Sequence, residues 1–324
     1  MIISKTPLRI SFVGGGTDLE AFYKHHYGMV VNAAINKYIY ICVHRHFDGN
    51  KFLLKYSKIE EGYDVNKIKN NLIREAMKLT KVSGVEIVSM SDMPVTGTGL
   101  GSSSSFIVGV LNALYAYKGE YKSPEELARD ACKIEIDILN NPIGKQDQYI
   151  AAYGGLRSFT FHKNGQVKMK EIVLNKNQKK ELDSNLLLFY TDKTRKANSI
   201  LSKQKDKTEE KIKSLLKMRN LAKTMKECMD NCQLDKFGEL LRQNWIEKRQ
   251  LVDGITDSKI DYYYQKAIDN GAVGGKLCGA GGGGFLLFYC EKNKQNRLRK
   301  ALSDLEETPF SFELNGSKII HNGQ

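Results

Sequence analysis

Pro94-Val95-Thr96-Gly97-Thr98-Gly99-Leu100-Gly101-Ser102-Ser103-Ser104-Ser105 joins two segments of opposite character. Before it, Val85 to Met90 is β-branched and apolar and reads as a strand, stopped by Asp92-Met93-Pro94. After it, Phe106, Ile107, Val110, Leu111 and Leu114 recur at helical spacing. Glycines at every second position allow a tight turn and let the backbone approach a ligand closely. The free N–H groups of the following helix start, at the positive end of its dipole, suit a phosphate. The serine hydroxyls add hydrogen bonds or a ligand for a metal ion. No Gly-Lys-Ser/Thr closes the loop, so it is not a Walker A motif. A plain flexible turn is the bland alternative, and four consecutive serines opening an apolar helix weaken it.

On either side of this loop the chain alternates strands and helices. Strands are expected at 3–13, ending in Gly14-Gly15-Gly16, and at 37–47. Ser123-Pro124-Glu125-Glu126 supplies a capping serine, a proline at the first helical position and a glutamate three residues after the cap. That helix runs through Leu127, Ala131, Ile134 and Ile138 to the stop Asn140-Asn141-Pro142, and a short helix spans 144–153. From about residue 170 the pattern predicts helices at 198–229, 233–250 and 258–270, with strands at 185–190, 285–290 and 310–314. This is an α+β pattern in two domains, 1–170 and 171–324, with a ligand cleft expected between them.

At 324 residues the chain is long enough for two cores, and 41% hydrophobic with 27% charged residues is an ordinary globular composition. No apolar run approaches the roughly 20 residues that span a bilayer. The opening Met1-Ile2-Ile3-Ser4-Lys5-Thr6-Pro7 reads as a strand without signal-peptide layout, so a cytoplasmic location is expected. The six cysteines have no spacing that completes a zinc set. The net charge of +13 admits a nucleic-acid partner. Its lysines, however, lie along helix faces such as 203–226 with Glu209, Glu210 and Glu227 among them, which is the pattern of a solvated surface. A nucleotide or sugar phosphate is an equally good polyanion.

Three further features carry chemistry. In Arg9-Ile10-Ser11-Phe12-Val13-Gly14-Gly15-Gly16-Thr17-Asp18, an arginine and an aspartate flank a glycine turn at a strand end. A surface ion pair is the alternative for each. Glu135 and Asp147 sit on consecutive helices, and phosphoryl transfer needs an orienter for the attacking hydroxyl and hard oxygens for magnesium. Lys276-Leu277-Cys278-Gly279-Ala280-Gly281-Gly282-Gly283-Gly284-Phe285 is too glycine-rich for a helix or strand interior. It reads either as backbone pressed against a ligand or the other domain, or as a tight strand entry.

In order and wording, these stretches resemble the motifs of the GHMP kinase superfamily of galactokinases, homoserine kinases, mevalonate kinases and phosphomevalonate kinases. The resemblance implies a ribosomal-protein-S5-like N-terminal domain, a ferredoxin-like C-terminal domain, ATP as phosphate donor and Mg2+. By position, Asp147 resembles the catalytic base, with Arg9 beside it keeping it ionised. Gly97, Gly99, Leu100, Gly101, Ser102, Ser103 and Ser104 resemble the ATP phosphate cradle, and Ser103 and Glu135 the magnesium ligands. Gly15, Gly16, Thr17, Asp18, Gly281 and Gly282 are expected against the substrate, Asp18 on a sugar hydroxyl. Galactokinases have Gly-Glu-His before Thr-Asp, whereas this chain has Gly14-Gly15-Gly16, which argues against galactose. That form, with Gly144-Lys145-Gln146-Asp147 and Tyr190-Thr191-Asp192-Lys193-Thr194-Arg195, looks most like the kinases of D-glycero-D-manno-heptose 7-phosphate in nucleotide-heptose synthesis. Lys193 and Arg195, with Lys24, His25 and His26 as a second cluster, are the candidates for the distal sugar phosphate.

The expected partners are ATP and a sugar phosphate, with no nucleic acid and no membrane; no oligomeric state follows. An L-fucose kinase shares the same chemistry. A basic nucleic-acid binder on an S5-like fold is the alternative of another class. It has no use for Glu135, Asp147 and the serine loop together, and no Arg/Lys-aromatic RNA motif is visible.

Overall fold

The computed structural model describes residues 1–94, 97–193 and 197–323. Among them the chain forms an eight-stranded and a four-stranded sheet with helices packed on both. The α+β class expected from the sequence is what the structure has.

The spine of the larger sheet is the 18-residue strand Gly28–Arg45, longer at its start than the expected 37–47. Along one edge it pairs antiparallel with Ile2–Val13. Along the other edge its first half pairs with Leu156–Phe161 and its second half with Val85–Ser91. Strand Ile2–Val13 carries Arg9, whose N–H donates to the carbonyl of Leu100 at 3.0 Å, tying the strand to the glycine–serine loop. Helix Ser102–Tyr117 lies against this sheet, buried at nearly every position through Ala116, because its sequence is apolar on all sides. Ser123 caps helix Pro124–Cys132 with both reciprocal bonds of a capping box. The chain then continues as a π-helical turn, Lys133–Ile138, in place of plain α-helix. Such one-turn widenings are frequent at functional sites, and here the buried residues are Ile134 and Glu135.

The smaller sheet runs Glu306–Glu307, Leu186–Tyr190, Phe285–Cys290, Ala272–Leu277, antiparallel throughout. Helix Phe237–Arg249 bridges the halves. Its Phe237 ring meets Phe12 of the first strand edge-on at 5.0 Å and Tyr289 of the smaller sheet at 5.7 Å. The apolar core is therefore continuous across the joint.

Three expectations need correction. The helix predicted over 198–229 is two helices, Ala197–Asp206 and Ile212–Asp230, with a turned segment between them. In place of a strand over 310–314 there is one isolated bridge, Phe312 to Ile35. The last strand, Lys318–Asn322, pairs with Ile2–Val13. A division at residue 170 is thus not followed by the end of the chain, which returns to the first sheet to cover the free edge of its opening strand.

Candidate functional site

The glycine–serine loop folds by left-handed backbone. Gly97, Gly99 and Gly101 have φ of 72°, 76° and 77°, a region that costs side-chain-bearing residues strain. At Gly99 there is a second reason. A Cβ there would stand 2.3 Å from the carbonyl oxygen of Cys278, so the loop is pressed against the C-terminal glycine stretch. Of the two readings open for that stretch, its Gly279 end is packed on the other half's backbone.

Ser102 is buried with its hydroxyl 3.3 Å from that of Thr98, Ser104 is buried, and Ser103 is exposed. The Ser103 and Ser104 hydroxyls donate to the two oxygens of Glu135 at 2.8 and 2.7 Å, and Gln148 Nε2 donates at 2.6 Å. Glu135 is fully buried, and burial pushes its carboxyl above the usual range while these three donors pull it back.

Arg9 grips Asp147 with both arms of its guanidinium, Nε to Oδ1 at 2.7 Å and Nη2 to Oδ2 at 2.6 Å. Its remaining arm, Nη1, donates to the carbonyl of Gly99 at 2.6 Å. Asp147 is thereby held at the phosphate-loop end of a cleft between the halves. Asp18 is the next acid along this cleft, and accepts from the N–H of Gly16 at 2.9 Å and of Gln146 at 3.3 Å. Burial, with the charge of Asp147 adding to it, raises the Asp18 carboxyl against the pull of these N–H donors. Gly144 makes this contact possible, because a Cβ there would lie 2.0 Å from Asp18 Oδ2.

The structure thus brings together Arg9, Gly15, Gly16, Asp18 and Asp147 in one cleft. Other expected substrate contacts lie elsewhere. The Thr17 hydroxyl is spent on backbone, donating to Gly14 at 2.8 Å and accepting from Met29 N–H at 3.0 Å. Gly281 and Gly282 pack on Ile255, with the Gly282 N–H donating to its carbonyl at 2.9 Å. Gly279 and Ala280 take their place along the cleft. Lys193 is paired with Asp257, the cap of helix Ser258–Asp269. Arg195 lies outside the described residues. Lys24 is exposed and paired with Glu20 at 3.0 Å, and His25 is exposed beside it.

Sequence reasoning missed the basic side of the cleft. Lys276 and Lys248 both line it, 3% and 5% exposed. Lys276 Nζ donates to the carbonyl of Ser11 at 2.6 Å, and Lys248 Nζ to Gln204 Oε1 at 3.1 Å and the carbonyl of Gly15 at 3.4 Å. Burial lowers Lys276 to about 7 and Lys248 to about 8, the latter against the attraction of Asp18. Asn244, one helical turn before Lys248, is also buried in the wall. The available signal was two polar residues on the apolar stripe of Phe237, Leu241 and Trp245.

A second cleft opens on the far side of Ser103, bounded by Ile39, Tyr56, Met90, Met93 and Phe106 and therefore mostly apolar. Among the described residues no three His, Cys, Asp or Glu side chains gather as a metal cage. No helix among them is long and apolar enough to cross a membrane.

Comparison with known proteins gives matches to both halves. Residues 66–155 match the GHMP kinases N terminal domain, and residues 225–307 match the GHMP kinases C terminal domain. The chain is 30% identical to the D-glycero-alpha-D-manno-heptose 7-phosphate kinase of Campylobacter jejuni, over 98% of each chain. It is 25% identical to the bifunctional fucokinase/GDP-fucose pyrophosphorylase of Arabidopsis thaliana, across 93% of this chain and 31% of that one. A D-glycero-D-manno-heptose 1-phosphate kinase from Bacteroides thetaiotaomicron shares the fold, with a TM-score of 0.83 at 23% identity over the full length of both chains.

Proposed function

From the premise that the chain belongs to the GHMP kinases, where it is a sugar kinase, we propose that it transfers the γ-phosphoryl group of ATP to the anomeric hydroxyl of D-glycero-D-manno-heptose 7-phosphate, giving the 1,7-bisphosphate. The observation that carries the reading is the two-armed Arg9–Asp147 pair at the mouth of the glycine–serine loop. Asp147 accepts the proton of the sugar hydroxyl as its oxygen attacks the γ-phosphorus and the bond to the bridging oxygen breaks, releasing ADP. Arg9 holds that carboxylate correctly turned with two hydrogen bonds while its third arm fixes the loop at Gly99. Asp18 fits a sugar hydroxyl.

The loop glycines and the start of helix Ser102–Tyr117 fit the nucleotide phosphates, and the apolar cleft beyond Ser103 fits the adenine ring. Mg2+ fits the oxygens of Ser103 and Glu135, since that ion needs only one or two protein oxygens beside phosphate and water. When bound, it would neutralise charge on the transferring phosphate. Ser103 is the exposed member of the three serines, which supports it over Ser102 and Ser104 as the ligand.

The test is ATP consumption with a panel of sugars and sugar phosphates. The reading expects kcat/KM for the heptose 7-phosphate at least about a hundredfold above that for the unphosphorylated heptose, the worth of one or two charged hydrogen bonds. The fucokinase relative favours a second reading, an unphosphorylated sugar such as L-fucose. Equal turnover with and without the phosphate would leave only that one.

A further inference from the structure

Lys248 and Asn244 lie one turn apart on helix Phe237–Arg249 and so share its inner face. Both line the cleft that holds Asp147 and Asp18. Asn244 is fully buried. Its Oδ1 accepts from the Gly14 N–H at 3.0 Å, which leaves its amide nitrogen as the free end, and that nitrogen meets no acceptor. Lys248 is 5% exposed, and its hydrogen-bond partners are the neutral oxygens of Gln204 and Gly15. A buried ammonium without an ion pair and a buried amide donor without an acceptor are both costly to leave unsatisfied. Side by side in the wall of an open cleft, they describe the complement of an anion with several acceptor oxygens.

The other anion site of the reaction is separate. The nucleotide phosphates belong with the glycine–serine loop, and Lys276, whose ammonium is held by the Ser11 carbonyl and feels the charges of Lys248, Arg9 and Asp147, stands between that loop and Lys248. Lys248 stands beside Gly16 and feels the charge of Asp18, which lines the same cleft. We propose that Lys248 and Asn244 together form the receptor for the phosphate that the sugar substrate already carries, with Gln204 orienting the ammonium. This rests on the sugar phosphate reading above and replaces Lys193 and Arg195 as the distal-phosphate candidates. A dianionic phosphate there would accept from the Lys248 ammonium and the Asn244 amide, supplying the counter-charge that the wall lacks.

The experiment measures kcat/KM for the heptose 7-phosphate and for the free heptose in wild type, Lys248→Met, Asn244→Leu and Lys193→Met. In Lys248→Met the ratio of the two constants is expected to fall about a hundredfold, mostly through KM for the phosphate ester, and in Asn244→Leu about tenfold. Thermal melting checks that each variant is folded. Lys248→Arg, which keeps the charge, is expected to recover part of the ratio and guards against a purely structural loss. A wild-type ratio near one overturns the sugar phosphate reading and this receptor with it. A high wild-type ratio that survives Lys248→Met, or collapses only in Lys193→Met, overturns the receptor alone. An equal loss on both sugars in Lys248→Met makes Lys248 a support of the fold and also overturns it.

Discussion

At the phosphate-loop end of the cleft, built by the first half of the chain, each charged side chain has its answer. Arg9 and Asp147 neutralise each other, and Glu135 accepts from three donors. On the side built by helix Phe237–Arg249 and strand Ala272–Leu277, Lys248 and Lys276 meet neutral oxygens, and Asn244 keeps an unused donor. The first wall is preorganised and complete without ligand, which suits groups that act on a bond as it breaks. The second is incomplete, which suits groups that recognise an anion. From that contrast, damage to the first wall is expected to lower kcat, and damage to the second to raise KM and leave the protein more stable.

The largest effect belongs to the first wall. Asp147→Asn is expected to lower kcat by roughly 10²–10⁴, the usual scale for losing a general base, with nucleotide binding largely kept. Steady-state kinetics and an ATP-binding titration check it. Activity within a few-fold of wild type would mean that positioning and metal charge suffice, and the contrast between the walls would lose its catalytic half.

Next come Glu135→Gln and Ser103→Ala. Each removes a hard oxygen and is expected to raise the magnesium concentration for half-maximal rate by about tenfold, with less change in sugar KM. Ser104→Ala is the control within the same cluster, since its buried hydroxyl bonds Glu135 from inside the fold. A magnesium shift in Ser104→Ala alone would move the ligand by one residue.

The first wall was also the legible one. Arg9, the loop glycines, Glu135 and Asp147 sit in short stretches whose composition departs from any helix or strand, and such departures show locally. Lys248 left only a faint signal, a polar residue on an apolar helix stripe, and Lys276 was hidden beside its glycines: each is one of 50 basic residues, and burial of a lysine is decided by tertiary packing. The long helix expected over 198–229 failed for a related reason. Lysine and glutamate continue helical composition through 207–211, and the break there has no glycine or proline to announce it. The final strand was invisible because its value lies in covering an edge at the other end of the chain, where Ile2 pairs with Asn322 and Lys5 with Lys318.

Acidity sharpens the second wall. Lys248, held near 8 by burial in the free enzyme, loses its charge as pH rises through that value. The charge of Asp18 acts on it, and Asp18, Lys276, Arg9 and Asp147 line the same cleft. The kcat/KM for a phosphorylated sugar is therefore expected to fall above about pH 8, approaching tenfold per unit, and more steeply than that for the free sugar. Lys248→Arg, which stays charged, is expected to move the fall upward. Parallel pH profiles for the two sugars would mean that the ammonium does not meet the phosphate.

The smallest effect is on stability, and its sign is the sharpest test of an unpaired wall. An unfolded lysine titrates near 10.5, so Lys248 at about 8 binds fewer protons folded than unfolded throughout that interval. Stability then rises with pH from about 8 to 10.5, and below 8 the full cost of the buried ammonium is present. Lys248→Met removes that cost and fills the space with a flexible apolar side chain, at the loss of two hydrogen bonds to neutral oxygens. The net expectation is a gain of about 1–2 kcal/mol at pH 7, as when other buried ions are replaced by apolar residues, read as a rise of a few degrees in Tm. The gain should shrink toward pH 10.5, where wild-type Lys248 is neutral in both states. Saturating sugar phosphate should reverse the order, since only the wild type gains the ion pair on binding. A variant less stable than wild type at pH 7 without ligand would show that Lys248 is already paired, and the two walls would not differ.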